Sequence, residues 1–143
     1  MFGFITPLFY VYFILKLPTH TSRNKVLIWS FFLGCCLDFF SYSMGLNMIA
    51  VLCIGFLRYY LLRMHMAREV VESFTPSIKT MGLFPFIRYA LWMIVLHHAI
   101  LFMVDDGSFH NVRMLALKIA GSSVCTVILV IGCEALNAKK RYD

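Results

Sequence analysis

The chain has 143 residues, 61% of them apolar and 14% charged, with a formal net charge of +6 and a mean hydropathy of +0.80. A soluble domain of this length cannot hide so much apolar surface, and soluble chains carry nearer to about 25% charged residues. The composition therefore excludes a water-soluble globular domain. The basic residues flank apolar runs and form no patch of their own, which argues against nucleic acid as a partner and for membrane lipids.

Five apolar runs follow in chain order, each close to the roughly 20 residues a helix needs to cross about 30 Å of hydrocarbon. The first, Phe2–Leu17, ends at Lys16 and Pro18. It has neither a basic leader nor a small-residue cleavage site, so it does not read as a removable signal peptide. The second lies between Ser22 and Ser41 and the third between Gly45 and Met64. They are joined by Tyr42-Ser43-Met44-Gly45, short enough for an antiparallel hairpin, whereas one continuous helix would be far too long for a single crossing. Between about 64 and 81 runs a longer connection. There Met66, Val70, Val71 and Phe74 recur at helical spacing opposite Arg68, Glu69 and Glu72, as in a helix lying on a leaflet surface, although a solvated connector fits equally well. The fourth run, Phe84–Val104, has Pro85 in its first turn, where the missing N–H costs nothing. The last extends from Val112 to Leu136. The expected architecture is all-α: a single polytopic membrane bundle, 1–143, of five transmembrane helices.

Loop charge orients the bundle. Arg23 and Lys25, then Arg63, Arg68 and Lys79, then Lys139, Lys140 and Arg141 all fall on one side when five spans are threaded. The other side has Asp105, Asp106 and Arg113 and no basic residue near Tyr42. The positive-inside rule then puts the C-terminus in the cytoplasm and Met1 outside. An external N-terminus with so short a lead predicts one further span upstream of Met1, or a misassigned start codon.

Few residues can carry chemistry. Asp38 is the only formal charge between Val26 and Leu57, and at 100° per residue it shares a helix face with Gly34 and Ser41. An aspartate at a helix centre costs about 2.5–3.5 kcal/mol on insertion scales, which disfavours an unpaired lipid-facing position. Three roles remain open: a contact or hinge within the protein or with a partner helix, a cap on the hairpin near the headgroups, and a proton or ion relay. His97 and His98 point about 100° apart and have no acidic or thiol residue one turn away, which suits interhelical hydrogen bonding better than a metal. Arg88 and Glu134 lie at the same boundary and could pair between the last two spans, though snorkelling alone explains Arg88. Arg58 and Arg63 have lipid phosphates as their default partners. Ala116, Ala120, Gly121 and Cys125 give small-residue spacing for close packing of the last span. The five cysteines, all inside apolar runs, read as small buried hydrophobes. No nucleophile–base pair, phosphate loop or metal motif occurs, so the expectation is no catalytic residue, no enzyme, no metal and no cofactor.

The run Gly34-x-x-x-Asp38-x-x-Ser41-x-x-x-Gly45-x-Asn47 resembles the hairpin motif of the MreD family of rod shape-determining proteins. Thr6 to Pro18, Ser73-Phe74-Thr75-Pro76-Ser77-Ile78 and His97-His98 are similar to Bacteroidetes-type members in particular, so the resemblance spans nearly the whole chain. That family's usual pattern has one more span before the Thr6-Pro7 segment. The resemblance implies a non-enzymatic scaffold of the cell-elongation machinery in the bacterial inner membrane. Its implied partners are MreC and, through it, the MreB filament, the glycosyltransferase RodA and a partner transpeptidase. Gly34, Asp38, Ser41 and Gly45 are then the contact or shaping residues. The implied fold is similar to substrate-binding subunits of energy-coupling-factor transporters, which supplies the alternative function.

Overall fold

The computed structural model describes residues 10–65, 74–107 and 111–139. Among these, all regular structure is helical: α1 (Val11–Leu15), α2 (Arg23–Ser41), α3 (Leu46–His65), α4 (Ile78–Met81), α5 (Leu83–Asp106) and α6 (Val112–Lys139). Four of them, α2, α3, α5 and α6, are long and apolar enough to cross a membrane, so the chain is a multi-pass helical membrane protein. Their bounds lie within a few residues of the second to fifth apolar runs. Of the first run, only α1 and its flanks are described, and the surface-helix expectation for Met66, Val70 and Val71 falls outside the described residues, as do Lys140 and Arg141.

The long helices stand in a row. α2 packs on α3, α3 on α5, and α5 on α6, while α1 lies against α3 and α5. Each helix buries one side and leaves the other to lipid, which explains an apolar surface that water would not tolerate: Trp29, Phe32, Phe39 and Phe40 on α2, and Leu117, Val124, Ile128 and Leu136 on α6 are all exposed. The core lies where α1 meets the row, built from Val11, Ile14, Leu15, Val51, Ile54, Phe86, Tyr89, Met93 and Ile94.

α6 corrects one expectation. Its buried face is Leu115, Ser122, Ser123, Thr126, Val130 and Glu134, whereas Ala116 and Ala120 are exposed and Gly121 and Cys125 only half-buried. Hydroxyls turn inward because hydrocarbon offers them no partner; Thr126 Oγ1 donates to the Ser122 carbonyl at 2.8 Å. A small residue loses little on either face, so its spacing does not select one. The cysteines form no disulfide; four are half-buried and Cys36 is exposed.

Local chemistry sets the breaks. α2 ends because Tyr42 turns left-handed (φ 52°) and Gly45 follows at φ 83°, so four residues reverse the chain. A side chain at Gly45 would be strained. α4 opens with a reciprocal cap in which the Ser77 hydroxyl accepts from the Thr80 amide (3.2 Å) and the Thr80 hydroxyl accepts from the Ser77 amide (3.0 Å). Across the same end of the bundle, the Thr19 amide donates to the Phe74 carbonyl at 2.8 Å and the Phe74 amide to the Thr19 hydroxyl at 3.1 Å. Arg23 is held over the rings of Phe56, Tyr59 and Tyr60 at 5.3–5.6 Å.

Candidate functional site

Among the described residues, two hydrogen-bonded polar clusters stand out, one toward the Tyr42 end and one toward the Lys139 end, with α1 between them. At the first, Asp38 accepts four hydrogen bonds. Oδ1 receives the Ser43 hydroxyl (2.7 Å), the Asn47 amide N–H (2.9 Å) and the Asn47 side-chain amide (3.0 Å); Oδ2 receives the Met48 amide (3.0 Å). The first residues of α3 carry backbone N–H groups with no intrahelical acceptor, and a carboxylate offered by the preceding helix satisfies two of them while complementing the positive end of the α3 dipole. Of the three roles open from sequence, the geometry is that of a cap. Gly34, one turn below, lets the backbones close: a Cβ there would stand 2.5 Å from Met48 Cα. Ser41 shares the face and is half-buried, but it is not among the donors to the carboxylate.

The cluster continues inward through Asn47 and Tyr10, which the sequence pattern did not single out as site residues, to His97, which it did. The Tyr10 hydroxyl donates to Asn47 Oδ1 at 3.2 Å and lies 2.9 Å from His97 Nε2. His97 and His98 are both fully buried, with ring centroids 5.9 Å apart and planes at 82°. The second turns away, its Nδ1 2.8 Å from the Ile94 carbonyl. Adjacent helical positions thus separate the rings, and no group of three or more metal-ligating side chains occurs among the described residues. The path from Asp38 to His97 runs through the Asn47 carboxamide, which carries no titratable proton.

No family model matches the chain, and neither a curated protein nor a solved structure matches it.

At the Lys139 end, Glu134 is 5% exposed and forms an ion pair with Lys16. The Tyr12 hydroxyl donates to its Oε1 at 2.7 Å, and the Ile78 amide approaches Oε2 at 3.4 Å. Asn137 Nδ2 donates to the Tyr12 hydroxyl at 3.1 Å, and Lys16 Nζ to the Pro76 carbonyl at 3.1 Å. This corrects the pairing of Glu134 with Arg88, which is exposed. Lys16 supplies the countercharge because α1 lies inside the bundle beside α6, a proximity with no trace in local spacing. Arg58 is corrected likewise: it is 3% exposed and donates to the Leu17 carbonyl, capping the end of the α1 segment rather than meeting lipid phosphate. Arg63, on the other side of α3, is exposed.

The two clusters share one element. Tyr10 ties α1 to α3 and α5, Tyr12 and Lys16 tie it to α6, and the Leu17 carbonyl ties it to α3. The sequence did carry a signal for this: two tyrosines and a lysine at Tyr10, Tyr12 and Lys16 in an otherwise apolar run.

Proposed function

We propose that the chain is a membrane scaffold of the MreD kind, acting by binding other membrane proteins: MreC directly, and through it MreB, RodA and the partner transpeptidase. The observation that supports this best is the placement of α2. Among the described helices it stands at the edge of the row, packed mainly on α3, and its outward side is a ridge of Phe32, Phe39 and Phe40 flanked by Trp29, whose ring lies 6.1 Å from that of Phe13 in α1. An aromatic ridge on a helix fixed by the Asp38 cap is a preorganised surface for a partner's transmembrane helix. In this reading the Gly34, Asp38 and Gly45 motif presents the ridge from behind and does not touch the partner.

The topology belongs to the same reading. A fifth span covers 2–17, with α1 its inner part, and the bacterial inner membrane holds the bundle with the Lys139 end in the cytoplasm. Lys16, Arg23, Lys25, Arg63, Lys79 and Lys139 cluster at that end, against Arg113 and Lys118 toward the other. The transporter-subunit alternative has less support, since Asp38, Ser43 and Asn47 at the Tyr42 end bond to one another.

The test is isolation of the tagged protein from native membranes in mild detergent, with mass spectrometry of what accompanies it. Recovery of MreC and the wall-synthesis enzymes, lost on Phe32→Ala with Phe39→Ala, supports the scaffold. Recovery of an ATPase pair with a shared membrane subunit replaces it with the transporter.

A further inference from the structure

At the Lys139 end, α2 and α3 carry a surface patch built around one guanidinium. α2 starts at Arg23, and α3 runs antiparallel to it, bringing Phe56, Tyr59, Tyr60 and Arg63 to the same end. Their spacing of i, i+3, i+4 and i+7 makes them one stripe of the helix. Arg23 Cζ lies 5.4 Å from the Phe56 ring centre, 5.3 Å from that of Tyr59 and 5.6 Å from that of Tyr60. The three rings are 45%, 50% and 48% exposed, so the cation is held on the outer surface of the helix pair and not between the helices. Three features define what this patch can hold.

The first is the state of the guanidinium. Three rings fix a side chain that is otherwise among the most mobile, so little ordering remains for a ligand to impose. Among the described residues no carboxylate, carbonyl or hydroxyl accepts from its five N–H donors, and the Tyr59 and Tyr60 hydroxyls are likewise without a hydrogen bond. A fixed, planar set of donors with no acceptor in the chain matches the oxygens of a phosphate.

The second is level. α2 has 19 residues and α3 has 20, lengths of about 28–30 Å at roughly 1.5 Å per residue, which equal the hydrocarbon thickness of about 30 Å. Arg23 is the first residue of one helix and Arg63 lies in the last turn of the other. Both therefore stand at the depth of lipid phosphates, beside tyrosines at the level where such rings concentrate. The third is direction. From Arg63 the stripe runs inward through Tyr60 and Tyr59 to Phe56, and its exposed side faces lipid, so a ligand that covers it has acyl chains attached.

We infer that this stripe is a binding site for an anionic phospholipid, with the phosphate on Arg23, Arg63 beside it, the glycerol against Tyr59 and Tyr60, and an acyl chain along Phe56. A choline headgroup brings its own cation against the two guanidinium groups and binds more weakly. The inference depends on the bundle's membrane placement and on no reading of its protein partners.

The full chain is reconstituted in nanodiscs of equal parts phosphatidylglycerol and phosphatidylcholine with identical acyl chains, at physiological ionic strength. It is then released into mild detergent and the retained lipid is quantified by mass spectrometry. Phosphatidylglycerol is expected to be enriched roughly fivefold, the scale of one charge-assisted contact. Arg23→Lys keeps the charge but loses the planar set of donors, and it removes most of that preference. Tyr59→Leu with Tyr60→Leu keeps Arg23 and an apolar surface but opens the ring stack, with the same result. Lys25→Gln deletes a charge on nearly the opposite side of the same turn and stays within about 1.5-fold of the parent, because diffuse attraction is screened. Equal retention of the two lipids by the parent overturns the inference, as does a preference untouched by Arg23→Lys and by the tyrosine double variant. A loss in Lys25→Gln as large as in Arg23→Lys also overturns it, since the preference is then an effect of net charge and not of a site. Glycerol 3-phosphate bound as tightly as the lipid overturns the assignment to a bilayer ligand.

Discussion

Replacing Asp38 with leucine removes the acceptor of four hydrogen bonds and leaves the Asn47 and Met48 amides and two side-chain donors facing a methyl group. Hydrogen bonds to a charged acceptor contribute about 1.5–3 kcal/mol each, and an N-cap alone about 0.5–2 kcal/mol. These do not add, because Asp38 is half-buried and its removal also relieves the cost of holding a charge out of water. Ser43 and Asn47 also retain their mutual hydrogen bond of 2.8 Å. A net loss of about 2–4 kcal/mol follows, concentrated in the α2–α3 hairpin. Asp38→Asn keeps one acceptor oxygen and is expected to lose about half as much. Cys35 Sγ lies 3.7 Å from Met48 Sδ, so Met48→Cys in a background otherwise free of cysteine gives a cross-link that reads the hairpin register directly. Reversible unfolding in mixed micelles supplies the energy and cross-linking rate the geometry. If Asp38→Leu unfolds within about 0.5 kcal/mol of the parent and cross-links as fast, the cap contributes nothing and the reasoning fails.

Three further outcomes are expected. Gly34→Ala forces apart α2 and α3 where a Cβ meets Met48 Cα and costs about 1–3 kcal/mol in thermal unfolding; Gly132→Ala, with nothing within 4 Å of its Cβ, is neutral or stabilises by up to about 1 kcal/mol. Glu134→Gln weakens the tie to Lys16 and Tyr12 by about 2 kcal/mol, below the 3–5 kcal/mol of a fully buried pair because Lys16 is 23% exposed, whereas Arg88→Ala changes stability by less than about 0.5 kcal/mol; equal effects would restore the pairing of those two residues. Tyr10→Phe deletes the hydroxyl between Asn47 and His97 and costs about 1–2 kcal/mol, with the loss visible as faster exchange of the His97 ring proton by NMR.

The spans are more legible in the sequence than the site. Four apolar runs matched helices to within a few residues, since hydropathy reports the solvent of a segment and helices are the only way an isolated segment satisfies its backbone in lipid. Asp38 stood out by the same logic, as did the hairpin: a charge inside an apolar run needs a partner, and four residues between spans leave only a tight reversal. Its partners Ser43 and Asn47 lie within nine residues of it, which is why local spacing came close to the cap.

Glu134 and Arg58 show where that logic stops. Their partners, Lys16 and the Leu17 carbonyl, are separated from them by more than a hundred and by about forty residues of chain. Charge and hydropathy rank a residue's need for a partner, but they carry no information on which of several helices stands next to it. The small-residue stripe of α6 failed for a related reason, since alanine and glycine are indifferent to the face they occupy while serine, threonine and glutamate are not. By itself, then, the sequence determined the solvent, the helices and the hairpin, because those follow from the transfer energy of each segment and from turns a few residues long. Only the tertiary structure decided that α1 lies inside the row and holds both polar clusters, because the choice of neighbour is made by side-chain packing and hydrogen bonds between segments far apart in the chain.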